Sequence, residues 1–134
     1  MEREDVVHVL GVAREALVPG GVLLDLEVVP PQPVIEVEGR VVCAVEGDGL
    51  LRAAAEATAV VDDLVARGVL REEAVDDHDA LQHYPTGAAL VADFENRERS
   101  LPATALPELV AIEEPCVMRE RCRARRLRLL EPAG

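Results

Sequence analysis

Val6-Val-His-Val-Leu-Gly-Val-Ala-Arg-Glu-Ala-Leu-Val-Pro-Gly-Gly-Val-Leu-Leu-Asp-Leu-Glu-Val-Val29 is the stretch around which the chain is organised. Val6, Leu10, Ala13 and Leu17 recur at helical spacing, and Val9 and Ala16 widen the same face. Pro19 cannot continue that helix, and Gly20 and Gly21 supply the backbone freedom for a reversal. Val22, Leu24, Leu26 and Val28 then share one face of a strand. Asp25 and Glu27 point the other way, and alternation alone reads that face as the wet one. Their other reading, a pair of acid/base carboxylates, rests on position alone.

The run Ala13-Arg-Glu-Ala-Leu-Val-Pro-Gly-Gly-Val-Leu-Leu-Asp-Leu-Glu27 resembles a segment late in class I S-adenosylmethionine-dependent methyltransferases. In those enzymes a helix ends in a Leu-x-Pro-Gly-Gly turn and feeds the fifth strand of the central sheet. The order of elements that follows, ending in a long strand, is similar to their C-terminal half. The resemblance implies that the strand Cys116–Leu129 lies between Val22–Val29 and Val75–Tyr84. The family's cofactor site belongs mostly to its N-terminal half, as a glycine-rich turn after the first strand and an acid ending the second. Met1 stands only a few residues before the helix, so neither is expected here, and no cofactor-binding residue carries over.

At 134 residues the chain is read as a single domain, 1–134, with room for one core. That core must be almost wholly aliphatic, because Tyr84 and Phe94 are the only aromatic residues. Two rings make base-stacking platforms a poor expectation, and a net charge of -12 argues against nucleic acid and anionic membrane as partners. All fourteen basic residues are arginine, so lysine Schiff-base chemistry is excluded. Cys43, Cys116 and Cys122 are odd in number and lack zinc spacing. On a strand, Cys116 and Cys122 would stand about 20 Å apart at about 3.3 Å per residue, too far to bridge. Reduced thiols in a cytoplasmic protein are the expectation. No signal peptide or membrane span is read.

Along the chain, Pro30-Pro31-Gln32-Pro33 is a stiff extended connection. Val34–Glu38 and Arg40–Val45 flank Gly39 as a β-hairpin. Asp48 starts a long helix to about Arg67, with Gly68 just past its end and a stripe of Leu50, Ala54, Ala57, Val61 and Leu64. A strand is expected from about Val75 to Tyr84, after the acidic run that begins at Leu70. Ala88–Asn96 reads as a short helix, and Ala103–Ile112 as a helix interrupted by Pro107. Cys116 to about Leu129 is the last strand, and Glu131–Gly134 a frayed tail.

Two clusters invite a functional reading. Asp77, Asp79 and His83 fall on one strand face and are weak candidates for a divalent metal, although surface charge explains them as well. Arg119, Arg121, Arg123 and Arg125 line one face of the last strand and could hold an anionic ligand bidentately. Residues 119–128 carry +5, which leaves -17 for the rest, so pairing of the row with the chain's own acids is favoured. Catalytic serine chemistry has Ser100 alone, and no catalytic set or cofactor is assigned.

The reading is therefore an α+β domain, a mixed and mostly antiparallel twisted sheet of about five strands with helices packed against it. The expected role is a non-catalytic methyltransferase-like module for interaction or small-ligand binding. The alternatives are a small enzyme or pocket using the arginine row, or one half of a split methyltransferase. A homodimer is expected because the strand Val22–Val29 risks an open edge unless the hairpin folds over it. The hairpin and the long helix are expected near that interface, with Val41 and Val60 as the residues to change. A separate protein partner is the other expectation.

Overall fold

A computed structural model describes residues 18–130. The helix expected over Val6–Leu17 and the tail Glu131–Gly134 lie outside the described residues. The elements run β1 (Val22–Val28), β2 (Val34–Val37), β3 (Arg40–Ala44), α1 (Asp48–Ala66), β4 (Leu70–Tyr84), α2 (Gly87–Phe94), a 3₁₀ turn (Ala103–Ala105), α3 (Leu106–Val110) and β5 (Cys116–Leu129). The five strands form one antiparallel sheet, an α+β architecture as expected. β5 pairs with β1, β2 and β4, so the strand order implied for β1, β5 and β4 is the one present. The chain divides into two compact units, Met1–Val29 with Arg52–His78 and Cys122–Gly134, and Pro30–Leu51 with Asp79–Arg121.

In the first unit the Pro-Gly-Gly turn behaves as its residues require. Gly20 adopts φ +83°, which a side chain would resist. Its N–H donates to the Leu129 carbonyl at 2.9 Å, and Gly21 N–H donates to Val18 at 2.8 Å. β1 then runs antiparallel to β5, with Leu23 opposite Leu127, Asp25 opposite Arg125 and Glu27 opposite Arg123. The core is Val61, Leu70, Leu127 and Leu129, with Leu23, Leu64 and Val65 packed against it. α1 ends where Gly68 takes φ +77°.

Three expectations are corrected here. The wet face of β1 is the reverse of the one read from alternation: Leu24 and Leu26 are 75% and 65% exposed, while Asp25 and Glu27 are half-buried. Val22, Leu23 and Leu24 are consecutive apolar residues, and it is Leu23 that the Val61–Leu70–Leu127 core takes up. Val60 is buried rather than available at an interface, so Val60→Arg would disrupt the fold. β4 begins at Leu70 rather than Val75, because the acids of its first half meet arginines on β5.

In the second unit β2 and β3 form the expected hairpin, with Glu38 and Gly39 both at positive φ as a two-residue turn demands. β2 pairs with Val117–Arg119 of β5. Ile35, Leu90, Leu109 and Cys116 are fully buried at the centre of this core. Thr86 caps α2 by accepting from Ala89 N–H at 3.2 Å. Pro107 does not interrupt a helix; it sits in the first turn of α3, where its missing N–H costs nothing.

Candidate functional site: a carboxyl pair and an exposed strand face

Within the first unit, the core-side face of the sheet carries carboxyls on three elements around two arginines. β1 contributes Asp25 and Glu27, β4 contributes Glu72 and Asp77, and α1 contributes Asp62. Arg125 is only 7% exposed, and it donates to Glu72 at 2.7 Å and meets Asp62 at 2.8 Å. Arg123 donates to both oxygens of Asp77 at 2.8 and 3.1 Å, the bidentate geometry that suits guanidinium and carboxylate. A cleft of about 340 Å³ is lined by Asp62, Glu72, Asp77, Arg123 and Arg125, with Val75 beside them.

Five carboxyls face two guanidiniums here, and the surplus falls on β1. Burial pushes the Glu27 carboxyl up to about 7, and the neighbouring Asp25 charge pushes the same way. Burial also raises Asp25, against a hydrogen bond from Glu27 and the Arg125 charge, which pull it down. Asp25 Oδ2 is shielded and has no donor among the described residues. Two ionised carboxylates cannot bond each other, so a hydrogen bond between Glu27 and Asp25 requires a proton on one of them.

The opposite face of β1 has another character. Leu24, Leu26 and Val75 line an open groove of about 410 Å³ with Ala74 and Ala124. Val75 is 53% exposed, so three large aliphatic side chains stand in water within one small area. Among the described residues, β1 pairs with β5 alone. In the hairpin, β2 pairs with β5 and β3 with β2.

No family model, curated protein or solved structure matches the chain.

The sequence candidates are placed as follows. Arg123 and Arg125 are engaged in the first unit as described above. In the second, Arg119 donates to Glu36 at 2.6 Å and to Asp79 at 3.1 Å, and Arg121 donates to Asp79 at 3.2 Å. Those two arginines hold Asp79 below the usual carboxylate range. Glu36 and Asp62 were not singled out as partners of the row in the sequence. Glu36 belongs to the two-sided hairpin pattern, and Asp62 lies on a helix whose facing strand the spacing does not name. Asp77 and Asp79 answer arginines, His83 is exposed, and no group of three metal-ligating side chains is present among the described residues. Cys43, Cys116 and Cys122 form no disulfide among the described residues, and burial raises Cys43 and Cys116.

Proposed function

We propose that this chain is a non-catalytic interaction module, similar in build to the C-terminal half of class I methyltransferases, and that it works as a homodimer. The observation that carries the reading is the apolar face of Leu24, Leu26 and Val75 on a strand that, among the described residues, is paired along one edge. Exposed aliphatic surface beside unpaired backbone is what association removes from water. The reading gains further support from the arginine row, because every member already engages a carboxylate. An anionic ligand would have to displace Asp77, Asp79, Glu36 or Glu72 from its arginine. Three cysteines with no disulfide among the described residues favour the cytoplasm, and no helix among the described residues is long and apolar enough to cross a membrane.

Sedimentation equilibrium of the full chain at tens of micromolar tests the reading. A mass twice the 14.5 kDa of one chain is expected. A single-chain mass across the concentration range contradicts it.

A further inference from the structure

β1 carries a pattern that complements itself. Counted from Asp25, the residues one place away on each side are Leu24 and Leu26, and those three places away are Val22 and Val28. An antiparallel copy paired about a two-fold axis through Asp25 sets Leu24 opposite Leu26 of the second copy and Val22 opposite Val28. All four share one strand face by alternation; Leu24 and Leu26 are exposed and line the groove with Val75, while Val22 and Val28 are partly buried. The same operation sets Asp25 opposite Asp25 of the second copy, with each Glu27 diagonal to it. Carboxylates on an edge strand oppose pairing when ionised, which is how many sheets protect their edges.

We infer that β1 is the self-association edge of this protein, that its occupant is β1 of a second copy, and that the Asp25–Glu27 carboxyl pair gates the pairing by protonation. The inference rests on the homodimer reading above and adds its location and its control. A second copy fits this edge better than an unrelated strand because Leu24 and Leu26, and Val22 and Val28, repeat symmetrically about Asp25 on one face, although Leu23 on the other face falls opposite Glu27. The seven-residue strand contains no proline, lysine or arginine to block addition.

The groups around the pair set the direction of the pH response. Arg123 and Arg125 of β5 lie across the strand from Glu27 and Asp25. Asp62 of α1 adds a repelling charge at Asp25. Glu72 and Asp77 of β4 are held on those same arginines, and the Arg125 charge lowers Asp25 without offsetting its burial. With the shared proton in place the pair carries a single charge, and a second proton removes it. Association brings two such pairs together and therefore takes up protons. The dimer strengthens as pH falls through about 7 and weakens above it.

The test is the dimer dissociation constant of the full chain by sedimentation at pH 6, 7 and 8. The account expects weakening of about tenfold or more from pH 6 to pH 8, since each proton taken up changes the constant tenfold per pH unit. Leu24→Arg should abolish the dimer at pH 6, and Val41→Arg on β3 should leave it intact. Asp25→Asn with Glu27→Gln should hold the dimer together at pH 8, with circular dichroism confirming the fold. If that double variant does not fold, the wild-type pH series and Leu24→Arg decide the matter. A dimer that ignores pH and Leu24→Arg, or that Val41→Arg breaks, overturns the β1 edge while self-association stands. A monomer at every pH overturns both.

Discussion

At single positions, one glycine and one acid show how tightly this chain is committed. Gly87 opens α2 with its N–H donating to the Ile112 carbonyl at 2.9 Å. A methyl group there would overlap the Leu109 carbonyl oxygen and press on Ile112 Cβ. Gly87→Ala should cost about 2–4 kcal/mol in urea denaturation, because backbone rather than a flexible side chain must yield. Glu27 is the opposite case, a residue whose ionised form suits its surroundings poorly. Its carboxyl titrates at about 7 in the fold, above its ordinary 4.5. A group raised on folding stabilises fully below its unfolded value, and that contribution is lost as pH rises through the folded one. Glu27→Gln should therefore raise the melting temperature at pH 8 and do so less at pH 5. An equal effect at both values would contradict the shared proton. At the acid end the sign reverses. Glu73, held down to about 2 by Arg128 and Arg126, loses its contribution as pH falls below its ordinary range.

At the scale of elements, β5 was legible from sequence, because Arg119, Arg121, Arg123 and Arg125 stand at alternate positions within Cys116–Leu129. The hairpin and α1 were legible for similar reasons, a two-residue turn at Glu38-Gly39 and a stripe closed by Gly68. β1 was legible as a strand, but its covered face was not. Alternation divides a strand into two faces, and only the partner element says which one is buried. Leu23 next to Leu24 left both answers open, and α1 settled it through Val61. The carboxyl pair was read in sequence as solvent-facing for that reason, with its acid/base reading resting on position alone, since Asp25 and Glu27 become unusual only once their face is covered. The start of β4 was obscured by its acids, which look like solvated loop until the arginines of β5 are set beside them. Arg125 is the anchor of that arrangement. Arg125→Ala would leave Glu72 and Asp62 without their shared cation in a half-closed site. A loss of about 3 kcal/mol is expected in denaturant unfolding. Arg126, half exposed on the other face and bonded to Glu73 at 3.1 Å, should cost under about 1 kcal/mol when changed the same way.

For the molecule as a whole, the non-catalytic reading proposed above predicts no cofactor binding. Isothermal titration of the full chain with S-adenosylmethionine should give no heat of binding, and a micromolar dissociation constant would contradict the non-catalytic reading. Mass spectrometry of the denatured, non-reduced protein should count three free thiols. What remains distinctive is a strand paired, among the described residues, along one edge, with Leu24 and Leu26 exposed on one face and Asp25 and Glu27 half-buried on the other. Hydrogen exchange read by mass spectrometry addresses that strand most directly, by comparing dilute and concentrated full-length protein at pH 6. The account predicts that amides of Val22–Val28 gain protection with concentration, while those of the hairpin Val34–Ala44 do not change. Protection that ignores concentration in β1, or rises in the hairpin instead, would contradict it.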